Sequence, residues 1–244
     1  MEINTNQLIA NTSTASLYLI NDDNKKYVYK EFNYLHDPTE LERFETFTTI
    51  KISNIAFPIE IVKQDGGIRG YVMDYVEGQT LEAFRDIINR ITIISEVPLD
   101  IIIREVSRLS DSYKQLALNK IEVGDVNLTN LLYSNGNIVN IDTDSFKLHK
   151  QINPLTLIAR NWLSLKQACY TLLSDNFAIP NDMKNELLRS ITSKASESAG
   201  DWFKNVIRNI ENKYDTKFST LLEISEVIKE NEKNNSYSGA NRSR

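Results

Sequence analysis

An α+β fold, with strands first and helices afterwards, is predicted by the order of hydrophobic patterns along the 244 residues. The N-terminal third alternates apolar and polar residues in short runs broken by polar turns, whereas later segments carry apolar stripes at helical spacing. Two turn signals, Asp65-Gly66 and Asn135-Gly136, sit between apolar runs and mark hairpins. Such segregation implies two unequal parts: a small antiparallel sheet over 1–77 and a helical body over 78–232, followed by a tail.

The first strands are expected at Leu8 to Ala10, Ser16 to Ile20 and Tyr27 to Phe32. In the third, alternation places Val28, Lys30 and Phe32 on one face, so an ammonium shares a side with apolar residues. Asp37-Pro38-Thr39-Glu40 announces a helix, with Asp37 or Thr39 as N-cap and Leu41, Phe44 and Phe47 as its buried stripe. Phe57 to Lys63 and Ile68 to Val76 then form a hairpin across Gln64-Asp65-Gly66-Gly67. Beyond Gly78, Ile102, Val106, Leu109, Tyr113 and Leu116 define one amphipathic helix, and Trp162, Leu165, Ala168, Cys169, Leu172 and Leu173 define another. Further helices are expected at Met183 to Ile191, Trp202 to Tyr214 and Leu221 to Lys229. Lys233 to Arg244 has no periodicity and is expected to be disordered.

The most informative segment runs from Ile121 to Phe146. It holds Asp125, Asn130 five positions later, and Asp142 behind the Asn135-Gly136 turn. Leu131-Leu132-Tyr133 and Ile138-Val139-Asn140-Ile141 read as the paired strands, which brings Asn130 and Asp142 side by side. An acid that orients a hydroxyl nucleophile, with an amide oxygen and a second carboxylate for a hard cation, is the equipment of phosphoryl transfer. Asp125, Asn130 and Asp142 match those roles in that order, and Asp144 adds a carboxylate to the same loop.

This segment resembles the catalytic loop and metal-binding segment of the protein-kinase-like superfamily, H-R-D-x-x-x-x-N, a hairpin, then D-F-G. Val123-Gly124 stand where His-Arg would be, and Thr143-Asp144 where Phe-Gly would be. The Asp-Thr-Asp-Ser-Phe run is similar to an atypical branch of bacterial Ser/Thr kinases. The resemblance implies a two-lobed kinase-like fold using ATP and Mg²⁺. Lys30, in Tyr27-Val28-Tyr29-Lys30, looks like the V-A-I-K lysine that holds the phosphates, and Glu42 would pair with it, Glu45 and Glu40 being alternatives. Asp74, Tyr75 and Val76 look like the hinge whose amides face adenine. Asn130, Asp142 and Asp144 would be the metal set, with Asp125 the catalytic acid-base. The phosphate-covering G-x-G-x-x-G is missing, since no Gly precedes Gly66; Ser13 and Thr14, in the small polar turn that replaces it, would donate to phosphate instead. The stretch between Asp142 and Asn161 is short and lacks A-P-E, which removes the usual peptide-docking segment. The resemblance nevertheless implies a protein hydroxyl as the acceptor, with a small-molecule acceptor or a nucleotide-binding pseudokinase as the alternatives.

Composition bounds the partners. Net charge is −5 with no long basic run, which argues against nucleic acid as principal partner. Hydrophobic content of 41% and charged content of 25% are those of a globular domain, and no apolar run is long enough for a membrane span. Cys169 has no second cysteine to pair with and no leader precedes Leu8, so a cytoplasmic location is expected. His36 and His149 are too few for a histidine-based metal centre.

Overall fold

The computed structural model describes residues 7–22, 24–88, 91–176 and 179–240. It is a mixed α+β molecule with a five-stranded antiparallel sheet and six α-helices among the described residues. The sheet comprises β1 (Leu8–Asn11), β2 (Ala15–Asp22), β3 (Lys25–His36), β4 (Pro58–Gln64) and β5 (Gly67–Asp74), in the order β1-β2-β3-β5-β4. Between β3 and β4 a 3₁₀ turn at Pro38–Glu40 leads into α1 (Leu41–Thr49). Asp37 caps that turn by accepting from the Thr39 amide at 2.8 Å.

Each expected strand forms; β1, β2 and β3 run past their apolar cores because pairing continues, whereas β4 is displaced by one residue and β5 stops at Asp74, short of the expected Val76. Both tight hairpins have the left-handed pair that two-residue loops require: Asp65 and Gly66 at φ 48° and 80°, Asn135 and Gly136 at φ 47° and 82°. In α1, Phe44 and Phe47 are fully buried, Phe47 in the core of the helical body and Phe44 beneath the sheet, where Leu41 packs partly exposed at the edge. Alternation in β3 holds as well: Val28 and Phe32 join Phe44, Ile68, Tyr71 and Met73 beneath the sheet, and Lys30 lies buried among them.

The helical body contains α2 (Leu99–Leu118), α3 (Pro154–Asn176), α4 (Asn181–Ser193), α5 (Ala199–Tyr214) and α6 (Leu221–Ala240). Its core collects the predicted stripes of α2 and α3 with Trp202, Phe203 and Ile224. The thiol of Cys169 lies inside that core, and burial pushes it up to about 12. The tail expectation is corrected in part: α6 continues through Lys233 to Ala240, and residues 241–244 lie outside the described residues. Leu221, Ile224 and Ile228 nucleate this helix by packing, after which each added polar residue costs little. Among the described residues no helix is long and apolar enough to cross a membrane.

Two contacts lock sheet and helical body together. The loop after α1 pairs with the second hairpin, where Ala56 N–H donates to Asn140 O at 2.8 Å and Asn140 N–H to Asn54 O at 2.9 Å. Beside it, Phe47, Phe57 and Phe146 form a triangle of rings with centroids 5.7, 6.2 and 6.4 Å apart. Phe146 is fully buried, so Phe146→Ala should cost about 3–5 kcal/mol of unfolding free energy, read as a lower urea midpoint at unchanged slope. A loss under about 1 kcal/mol would show that the triangle does not carry the junction.

Candidate functional site

Two short antiparallel ladders shape the segment from Ile121 to Leu148. At its outer ends Ile121–Glu122 pair with Lys147–Leu148; at its centre Leu131–Ser134 pair with Asn137–Asn140. The remaining residues therefore form two loops that face each other, one carrying Asp125 and Asn130, the other Asp142 and Asp144. Three contacts close the gap between them. Ile141 N–H donates to Asn130 O at 3.0 Å, Asp125 N–H donates to Ser145 Oγ at 3.1 Å, and Gly124 lies so close to Ser145 that an added Cβ would sit 2.2 Å from its carbonyl oxygen. Glycine before Asp125 is thus a packing requirement.

Buried amides fix the loops to the helices. Asn161 of α3 accepts from Val123 N–H at 2.8 Å and donates to Tyr113 O and Ile121 O, both at 3.0 Å. Asn140 donates to the Tyr113 hydroxyl at 2.7 Å and accepts from Asp142 N–H at 3.2 Å. Within the first loop, Asn127 Oδ1 accepts from the amides of Thr129 and Asn130, while its Nδ2 donates to Asp125 Oδ2 at 2.9 Å. The Asp125 carboxylate is exposed but oriented by that bond; Asn130 donates to Asp125 O at 3.0 Å.

The electrostatic centre is Lys30. Its Nζ donates to Asp142 Oδ1 at 2.7 Å and to Asp144 Oδ1 at 2.8 Å, with only 9% of its side chain exposed. Burial lowers its pKa, but the charges of Asp144 and Asp142 outweigh that and hold it above the usual lysine range. The acids share the ammonium unequally. Burial and the hydrogen bond and charge of Asp144 push Asp142 up; burial also acts upward on Asp144, yet its hydrogen bond with Asp142 and the charge of Lys30 prevail and hold it down. Tyr71, on β5 opposite Lys30, is fully buried next to this pair, and burial together with the charges of Asp144 and Asp142 raises its hydroxyl well above the usual value.

Two carboxylates against one ammonium leave a surplus of negative charge for a further cation. The oxygen donors here, two carboxylates and the Asn130 amide on the facing loop, are the type that suits Mg²⁺, with phosphate oxygens and water completing the shell. Among the described residues no group of three or more His, Cys, Asp or Glu side chains comes together for a metal, so such an ion would depend on Asn130 and on its ligand's own oxygens.

One expectation is corrected and two are narrowed. Glu42 does not pair with Lys30: its side chain is 63% exposed and bonds Lys150 at 2.7 Å. Neither alternative reaches Lys30, since Glu45 pairs with Lys63 and Glu40 with Arg43 and His36. The helical stripe that buries Phe44 and Phe47 turns those acids outward, so only Arg43 of α1 reaches the site, donating to Asp144 O and Phe146 O at 2.9 Å each. Second, the amides over Asp74–Val76 are not all free to face a ligand. Tyr75 N–H donates to Lys26 O at 3.2 Å, and the Asp74 carboxylate pairs with Lys25 at 2.8 Å. Third, the β1–β2 turn is not a set of free hydroxyls. Thr12 Oγ1 accepts from the amides of Thr14 and Ala15 and donates to Ala15 O, and Asn33 Nδ2 donates to the carbonyls of Thr12 and Ser13. Ser13 and Thr14 remain exposed at its tip, and no residue there adopts a left-handed conformation.

Arg43, Asn127, Asn140 and Asn161 are the site residues that sequence reasoning passed over. Asn127 alone had a legible signal, two positions after Asp125 in a loop where Asn side chains bind backbone amides. No family model matches the chain, and no curated protein matches it.

Asn161→Ala leaves the buried Val123 amide without its partner and takes a donor from Ile121 O and from the helical carbonyl of Tyr113, so it should lower stability by about 1–3 kcal/mol. Chemical denaturation of the purified variant measures this, and a stability equal to the parent would contradict the anchoring role.

Proposed function

We propose that the chain is an ATP-dependent phosphotransferase of the protein-kinase-like superfamily, most similar to atypical bacterial Ser/Thr kinases. The observation that carries the reading is the pairing of Lys30 of β3 with Asp142 and Asp144, whose loop faces the one bearing Asp125 and Asn130. The sheet would then be the nucleotide-binding N-lobe and the helical body the C-lobe, divided near residues 77 and 78.

In this reading Lys30 leaves its acids in part to hold the α- and β-phosphates, and Asp142 with Asn130 holds Mg²⁺, which when bound offsets phosphate charge. Asp125, oriented by Asn127, accepts or orients the proton of the acceptor hydroxyl. That oxygen forms a bond to the γ-phosphorus while the bond from phosphorus to the ADP oxygen breaks, and the proton passes through Asp125 to solvent. Adenine would lie against Asp74, Tyr75 and Val76, with the amide of Tyr75 excluded as a donor, and Ser13 and Thr14 would border the phosphates.

A small-molecule acceptor gains weight from one observation. Only Thr143–Asn153 separate Asp142 from α3, and Lys147–Leu148 of that stretch are already paired with Ile121–Glu122, leaving little chain on which to dock a peptide. Labelled ATP offered with a protein extract and then with a metabolite panel separates the acceptor classes.

Mg-ATP at one hundred times its Kd should stabilise the folded chain by about 2.7 kcal/mol, seen as a rise in Tm. Asp142→Asn should abolish the Mg²⁺-dependent part of that rise. Asp125→Ala should keep the rise and lose phosphotransfer by at least about a hundredfold. Absence of any shift in the parent at millimolar Mg-ATP defeats the proposal, and a shift without turnover by the parent identifies a pseudokinase.

A further inference from the structure

A lysine that grips phosphates needs an anion to hold it in place, and the expected source was an acid on α1. All three candidates are engaged elsewhere: Glu42 with Lys150, Glu45 with Lys63, Glu40 with Arg43 and His36. The face of α1 turned to the site offers a cation instead, and Arg43 spends it on the carbonyls of Asp144 and Phe146.

We propose that Asp144 is the positioning residue for Lys30, replacing the helix acid, and that α1 acts on the site by clamping the Asp144 backbone through Arg43, with Phe47 bracing Phe146 beside it. This assignment rests on the phosphotransferase reading. It divides the work of the two acids that now share the ammonium. Asp142 follows directly on the hairpin, its amide held by Asn140 and its neighbour Ile141 bonded to Asn130, so it belongs with the proposed metal set. Asp144 is held from the opposite side. Arg43 donates to its carbonyl at 2.9 Å, and two residues on, Phe146 is wedged against Phe47 of α1 and Phe57. Its carboxylate is also the less exposed of the two, 18% against 29%, as suits an anion kept for an internal partner. A displacement of α1 would carry the Asp144 backbone with it and reach Lys30 through Asp144.

The experiment compares Asp144→Asn, Asp144→Glu, Asp142→Asn and Glu42→Gln in the full chain with two readouts. The first, without nucleotide, is the rate at which an amine-acylating reagent modifies Lys30, followed by peptide mass spectrometry. The second is the dependence of phosphotransfer on ATP and, at saturating ATP, on Mg²⁺. Asp144→Asn should speed acylation of Lys30 and raise the KM for ATP about tenfold or more, the effect of losing one charged hydrogen bond. Its Mg²⁺ midpoint should stay at the parent value, Asp144→Glu should recover part of the KM loss, and Glu42→Gln should match the parent in both readouts. Where Asp144→Asn does not fold, Arg43→Met removes the clamp with every acid in place and should produce the same rise in KM.

Three results would overturn the assignment: Asp144→Asn shifting the Mg²⁺ midpoint as Asp142→Asn does, Glu42→Gln reproducing its KM, or Lys30 acylation unchanged without the Asp144 charge. A parent that binds no Mg-ATP sinks the phosphotransferase reading and this role with it, even with the ion pair intact. A parent that binds it, with Asp144→Asn indistinguishable from it, sinks the role alone.

Discussion

An ammonium removed from water must find anions, and the need of Lys30 for them organises the molecule. The residue lies under the sheet, 112 positions before Asp142 and 114 before Asp144, and its one polar atom is satisfied only by those distant carboxylates. Taking three ionisable groups out of solvent carries a desolvation cost that close charge contact offsets only with good geometry. The rest of the fold supplies that geometry. β3 is pinned between β2 and β5, and the acids are delivered on a loop whose two ends are held by ladders.

The junction around this centre is built from unlike materials. Aromatic contact among Phe47, Phe57 and Phe146 gives area without direction, whereas the amides of Asn140 and Asn161 give direction with little area. Removing a ring would leave a cavity into which neighbours relax, but removing an asparagine amide would take the acceptor from the Val123 or Asp142 main-chain N–H. Only Phe47 on the apolar side belongs to a helical stripe, that of α1; Phe57 and Phe146 come from loops, and the polar side is assembled from isolated asparagines.

What the sequence made legible follows from the range of each force. Hairpins at Asp65-Gly66 and Asn135-Gly136 depend on four or five neighbouring residues, so their chemistry is local and could be read. The stripes of α2 and α3 repeat often enough to define a buried face, and alternation in β3 gave the side on which Lys30 lies. The pairing of that lysine was not readable, because the rotation of α1 is set by where Phe44 and Phe47 find their core, and nothing local says which of Glu40, Glu42 or Glu45 would face inward. Arg43 was missed for the same reason: its partners are main-chain carbonyls about a hundred positions away, and carbonyls are invisible in residue types. Asn161 reads as an ordinary polar position until the strand it serves is placed beside it. The extension of α6 to Ala240 came from packing upstream of the polar residues that had argued against it.

The turn between β1 and β2 has a thermodynamic corollary. A glycine-rich loop stays mobile until a ligand orders it, and the ordering entropy is then charged against affinity. Here Thr12 and the cross-strand Asn33 already hydrogen-bond the backbone of the turn, so part of that loss is met once, during folding. Anything settling beneath this turn would meet a backbone braced by its own side chains, and selectivity there would come more from shape than from a flap that descends and adapts.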